Sequence, residues 1–225
     1  MSNQKSWNIL SNNSEIIWEQ FMFITFEGLD FCGKSTQVHL LEKYLVDGGI
    51  KVIVIREPGG TPISEKIRDI LLDKKNSEMK YETEALLFAA SRAQLVNQTI
   101  IPALKNNIYV ISDRFHDSSI AYQSYGRGLS LNFVKELQKF AIKDAVPSIT
   151  FFIDIPVEEV VRRMSKVKKV ELDRIESSKV DFYERVRKGY LELSSLDNRF
   201  KVLDGLLPIS KLHEKIISEI KLISK

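Results

Sequence analysis

This chain has little of several things, and each shortage excludes a class of protein. It has one cysteine, Cys32, so it cannot form an internal disulfide; a cystine-stapled secreted fold is excluded and a reducing compartment is indicated. Three histidines and that single thiol are too few for a dedicated zinc site. No stretch reaches the roughly 18 consecutive apolar residues of a membrane-spanning helix. Neither sign of charge dominates: 33 Lys and Arg against 30 Asp and Glu leave +3, too little for a general nucleic-acid-binding surface. Residues 1–20 lack the basic start, apolar stretch and small-residue cleavage site of a secretory leader. They read as a poorly ordered extension, and the expected location is the cytoplasm.

What is present is an ordinary globular composition. Of 225 residues 44% are hydrophobic and 28% charged, enough to bury one core of generous size. From Phe21 onward short β-branched or aromatic runs alternate with segments of helical periodicity. That alternation is the signature of an α/β fold with a parallel sheet covered by helices. Expected strands are Met22 to Phe26, Lys51 to Arg56, Ile108 to Asp113, Ile149 to Ile155 and Phe200 to Asp204. Expected helices start at Lys34 (ending at Gly48-Gly49), Thr61, Tyr81, Phe115, Ser130, Pro156, Ser178 and Ser210. The Tyr81 helix is the longest, running to Leu104 with Pro102 near its end. No linker or repeat divides residues 21–225, which are expected to form a single domain.

One motif carries a specific chemistry. Gly28-Leu29-Asp30-Phe31-Cys32-Gly33-Lys34-Ser35 fits G-x-x-x-x-G-K-[ST] and lies between a strand and a helix, where backbone N–H groups and a helix N-terminus can cradle phosphates. Lys34 would neutralise the β and γ phosphates, and Ser35 would offer a hydroxyl to Mg²⁺. The loop alone does not separate a switch, a motor and a small-molecule kinase. The absence of an Asn-Lys-x-Asp tetrapeptide lowers the reading as a guanine-specific switch.

Other segments bear on that choice. Arg56-Glu57-Pro58-Gly59-Gly60-Thr61 follows the second strand. Phe88 and Arg92 are four apart on one helix, an aromatic plate beside a forked donor suited to a planar base. Asp113 and Arg114 end the third strand, the first placed to hold Mg²⁺ through water and the second to clamp a phosphate. Ser118 and Tyr122 share a helix face, and the phenol could wall a sugar. His116 reads as a capping or surface histidine. Five cations between Arg162 and Lys169, followed by Glu171-Leu172-Asp173-Arg174-Ile175-Glu176, read as a mobile lid around residues 164–176.

Together FEGLDFCGKSTQ, REPGGTP, LLFAASRAQ, SDRFHDSSIAYQ and ELDRIE resemble the thymidylate kinase family of P-loop nucleoside-monophosphate kinases. The resemblance implies a three-layer fold with a five-stranded parallel sheet, a homodimer, Mg²⁺, ATP as donor and dTMP as acceptor, giving dTDP for DNA replication. It assigns Gly28, Leu29, Asp30, Phe31, Cys32, Gly33, Lys34, Ser35 and Thr36 to ATP. To the acceptor it assigns Asp30, Glu57, Pro58, Phe88 stacked on thymine, Arg92 on the base, Arg114 on the phosphate, Ser119, Tyr122 against the 2′ position, and Gln123. Ser35 and, through water, Asp113 would serve the metal. Some members carry a basic residue inside the loop, where this chain has Phe31-Cys32; as in bacterial-type members, the charge must then come from the lid, here from lysines. Lys34, Arg114, Asp30 and Lys169 make up the expected catalytic set. The alternatives are another nucleotide or nucleoside kinase of this fold, or an ATP-dependent switch.

Overall fold

The computed structural model describes residues 23–166, 172–176 and 179–223. Its five strands are β1 (Phe23–Glu27), β2 (Val52–Arg56), β3 (Tyr109–Asp113), β4 (Ile149–Asp154) and β5 (Phe200–Asp204). They form one parallel sheet in the order β2-β3-β1-β4-β5. The chain runs from β1 over β3 to the β2 edge, returns to β3, then crosses to β4 on the far side of β1. The connections from β1 and β3 therefore diverge at the carboxyl ends of the central strands, which opens a crevice there.

All five residues of β1 are buried, as expected of a strand covered on both faces. Alternation assigns them to two layers. Ile24, Phe26 and Ile111 join Val38, Leu41 and Leu45 of α1 (Lys34–Asp47) and Ile216 and Ile220 of α9 (Ile209–Ile223). Phe23 and Val110 join Leu95, Val96 and Ile100. The polar exception is contained: the buried hydroxyls of Thr25 and Thr150 are 2.8 Å apart across β1 and β4.

Local chemistry sets the helix ends. Gly48 follows α1, and α2 (Pro62–Leu72) begins with Pro62 behind Thr61, whose hydroxyl accepts a bond from Ser64 N at 3.1 Å. Ser130 accepts in the same way from Phe133 N at the start of α6 (Leu131–Ile142). The single long helix expected from Tyr81 is divided into α3 (Tyr81–Leu95), a π segment (Val96–Ile100) and α4 (Ile101–Lys105). Pro102 has no N–H to continue the ladder, and the wider turn before it absorbs the missing bond. The Phe115 helix is likewise divided, into α5 (His116–Ser119) and a π segment (Ile120–Gly126). The remaining helices are α7 (Val157–Met164) and α8 (Val180–Leu196). The expected extension at residues 1–20 lies outside the described residues.

Candidate active site

Two clefts open at the carboxyl ends of the strands, with about 560 Å³ and 940 Å³ of empty space. They share Asp30, Glu57, Arg68, Arg114 and Glu176. A group held in either cleft therefore faces the same charged junction.

The larger cleft is built on the phosphate loop between β1 and α1. A Cβ on Gly28 would lie 2.5 Å from Ile153 O and 2.9 Å from Cys32 Sγ, and its φ of +140° is strained for any other residue. Gly33, at φ +102°, has nothing within 4 Å of such a Cβ; here a glycine is needed for conformation and leaves the loop mouth open. Lys34 folds back over the loop, donating from Nζ to Leu29 O at 2.7 Å and Gly28 O at 3.2 Å. Both bonds can be exchanged for phosphate oxygens. Cys32, sealed beneath the lysine at 1% exposure, has its Sγ 3.6 Å from Nζ.

Ser35 and Asp113, distant in sequence, meet at the mouth of this loop, where the Ser35 hydroxyl donates to Asp113 Oδ2 at 2.5 Å. Two hard oxygen donors beside a phosphate loop suit Mg²⁺, an ion that keeps much of its shell as water and phosphate. Among the described residues no group of three or more His, Cys, Asp or Glu forms a protein-only metal cage. Arg163, at the end of α7, reaches over from the lid side and donates to Phe31 O at 2.9 Å and Gly205 O at 3.2 Å.

At the junction Arg114 has the left-handed φ of +70°, which a non-glycine residue adopts only at a cost. Its amide donates to Phe26 O, and the following turn is held by Glu27, whose Oε1 accepts from Phe115 N at 2.8 Å and Ser118 N at 3.3 Å. Glu27 Oε2 accepts from Ser118 Oγ at 2.5 Å and Tyr190 OH at 2.8 Å. So anchored, the guanidinium donates from Nη1 to Gly28 O at 2.8 Å and from Nη2 to Asp30 Oδ1 at 2.5 Å and Tyr122 OH at 3.2 Å. Burial alone would push the Asp30 carboxyl up, but Arg114 and Lys34 outweigh it and hold Asp30 below the ordinary carboxylate value. This ionised carboxylate and guanidinium occupy the one place both clefts reach.

Every acceptor-side residue expected from the sequence lines the smaller cleft: Asp30, Glu57, Pro58, Phe88, Arg92, Arg114, Ser119, Tyr122 and Gln123. Arg92 differs from expectation in how it is used. It is 1% exposed, and its guanidinium donates four hydrogen bonds to protein groups and makes a further close ion-pair contact with Glu57. Nε donates to Glu57 Oε2 at 2.6 Å, Nη1 to Ser119 Oγ at 2.8 Å and to Gln138, and Nη2 to Phe115 O at 3.1 Å while lying 2.5 Å from Glu57 Oε2. Rather than presenting a free fork, it braces the cleft wall. Burial pushes the Glu57 carboxyl up, and the adjoining Arg92 works against it.

His116 needs a correction: it is buried, not a surface group, its ring set edge-to-face on Phe115 5.1 Å away. Burial, opposed by Asp117, lowers its pKa to about 4 and keeps the imidazole neutral. The expected lid falls partly outside the described residues, and so do Lys168 and Lys169; Lys166 is exposed, and Asp173 and Glu176 line the smaller cleft. Sequence reasoning passed over Arg68, Glu84, Tyr183 and Tyr190. Each sits among other polar residues on its helix, and only the packing of α2, α3 and α8 places Arg68 in both clefts, Tyr183 against Asp30, Tyr190 against Glu27 and Glu84 against Gln123.

A phosphate loop, a metal-competent serine and aspartate beside it, and a second enclosed cleft meeting it at an arginine define a P-loop kinase of small-molecule type. The sequence profile of the family described as Thymidylate kinase matches residues 26–216. Two relatives, each named thymidylate kinase, are that of Kosmotoga olearia, 49% identical over 207 residues (91% of this chain, 97% of that protein), and that of Thermosipho melanesiensis, 50% identical over 195 residues (87% and 95%). The crystal structure of thymidylate kinase from Ehrlichia chaffeensis superposes with a TM-score of 0.71 at 34% identity, covering 88% of this chain and 98% of that one. The chain belongs to the thymidylate kinase family.

Proposed function

We propose that this protein transfers the γ-phosphoryl group of ATP to the α-phosphate of dTMP, giving dTDP and ADP. The observation that carries the reading is the junction: Asp30 and Arg114 stand where a nucleotide cleft on the phosphate loop meets a cleft walled by Phe88, Tyr122 and Gln123. A nucleotide triphosphate in the first and a monophosphate in the second would bring donor and acceptor phosphates together at that point. The acceptor phosphate is already an anionic nucleophile, so no general base is needed; the protein supplies alignment and positive charge.

Lys34 leaves Gly28 O and Leu29 O for the β and γ phosphates, and Arg114 offers its guanidinium to the acceptor phosphate. Ser35 and Asp113 would hold Mg²⁺, which neutralises phosphate charge when bound. Phe88 stacks on the base and Tyr122 crowds the sugar 2′ position, which favours deoxyribose. Lys169, which lies outside the described residues, is proposed to supply positive charge to the transferred group. Two further readings accompany this one. Exposed Phe133 and Phe140 on α6, with Leu86 on the adjoining α3, supply apolar surface for a homodimer. Among the described residues no helix is long and apolar enough to cross a membrane, and the single buried thiol suits the reducing cytoplasm.

A coupled ADP-release assay across dTMP, dUMP, dCMP, AMP and GMP tests the substrate. Preference for dTMP is expected; equal use of all five, or ADP release without a phosphorylated product, refutes the reading.

A further inference from the structure

Glu84 lies in the first turn of α3, is 1% exposed, and does not line either cleft. A buried carboxylate at such a place calls for an explanation. Its neighbours are two arginines and one amide. Arg127 donates from Nε to Oε1 at 3.1 Å and from Nη2 to Oε2 at 3.3 Å, Arg174 Nη2 is 2.7 Å from Oε2, and Gln123 Nε2 donates to Oε1 at 3.0 Å. Arg127 is itself fixed, with its guanidinium over the Phe182 ring at 4.3 Å. Burial would push the Glu84 carboxyl up; Arg127, Gln123 and Arg174 outweigh it and hold it below its ordinary value.

An ionised carboxylate only accepts hydrogen bonds. The Gln123 amide therefore has one allowed orientation: its NH₂ must face Glu84, since the reverse would set two oxygens against each other in a buried site. Gln123 lines the acceptor cleft, and among the described residues the one hydrogen bond of its side chain is that from Nε2 to Glu84, which leaves Oε1 for the cleft. We infer that Glu84 is a specificity-determining positioning residue, which fixes Gln123 as a pure acceptor toward the cleft and so selects a pyrimidine whose ring N3 carries a hydrogen. Thymine and uracil have that N3–H. Cytosine has a lone pair there, which would oppose the Gln123 oxygen, and a site built around a fixed hydrogen bond rejects a ligand that cannot complete it. The inference rests on the reading of this cleft as a pyrimidine nucleotide site.

The test is kcat/KM for dTMP, dUMP and dCMP in the wild-type enzyme, Glu84→Gln and Glu84→Asp. A glutamine at 84 can donate or accept, so Gln123 gains freedom to turn, and the dTMP-to-dCMP ratio is expected to fall by about tenfold or more. Aspartate still only accepts, and should keep the ratio within about threefold of wild type. An unchanged ratio in a folded Glu84→Gln variant overturns the inference. A loss of activity toward all three nucleotides alike does so too, because a purely structural carboxylate would lower every rate without moving the ratio. Should Glu84→Gln fail to fold by circular dichroism, the wild-type dUMP-to-dCMP ratio decides: the inference requires at least about tenfold, and equal use overturns it. Absence of wild-type turnover with dTMP rejects the substrate reading instead, a result separable from all of these.

Discussion

Glu27→Gln isolates the most heavily buried charge beneath the active site. Glu27 is fully buried, and burial together with the nearby Asp117 charge raises its pKa from 4.5 to about 7. An acid raised in the folded state favours the proton-bound fold, so its contribution to stability is fully present below pH 4.5 and is lost as pH rises to about 7. At about 1.4 kcal/mol per pH unit, that loss comes to about 3 kcal/mol. His116 acts in the opposite sense. Its pKa falls from 6.5 to about 4, so stability rises with pH between 4 and 6.5. In the wild type the two slopes largely cancel.

Glutamine is nearly isosteric and can satisfy the same partners. Its oxygen can accept from Phe115 N and Ser118 N, and its NH₂ can donate to the Ser118 and Tyr190 hydroxyl oxygens. The variant should therefore fold and keep Arg114 in place, with turnover within about threefold of wild type. What changes is the pH dependence: from pH 5 to 7.5 the variant should gain up to about 3 kcal/mol relative to wild type, or about 6–12 °C in Tm for a domain of this size. Thermal unfolding followed by circular dichroism at several pH values measures it. Parallel Tm curves for the two proteins would refute the assignment of a neutral, proton-bound Glu27 at low pH.

Lys34→Ala removes a charge whose hydrogen bonds, among the described residues, go to loop carbonyls and the Cys32 sulfur, so Tm should move by no more than a few degrees while turnover falls by about a hundredfold or more; near-normal turnover in the ADP-release assay would reject the phosphate-loop role. Phe88→Ala should raise KM for dTMP by about tenfold with kcat little changed, since base stacking on an aromatic ring contributes about 1–3 kcal/mol; an unchanged KM would remove Phe88 from the base site. Cys32, sealed under Lys34, should react slowly with iodoacetamide, and the modified protein should lose ATP binding measured by calorimetry; full binding after complete, mass-verified modification would show that the thiol is not packed inside the loop.

The layer pattern, the five strands and the phosphate loop were legible in the sequence because each depends on neighbours within a few residues: alternation along β1, Gly28 and Gly33 at a fixed spacing, a stop at Gly48-Gly49. The boundaries that moved are those where a nonlocal or stereochemical demand intervened, as at the π segments before Pro102 and after Ser119. The residues that line the smaller cleft were also legible, since Phe88, Arg92, Arg114, Tyr122 and Gln123 stand in recognisable segments. What only the tertiary structure decided is how those residues are used. Arg92 spends its donors on Glu57, Ser119, Gln138 and a carbonyl, which are up to 46 positions away in the chain. Glu27 holds the Arg114 turn from 91 positions away, and Glu84 turns Gln123 from 39. Hydrogen bonds and charges act through space over a few ångströms, so a sequence can specify which groups are available, while the packing of the sheet and helices alone determines which of them meet.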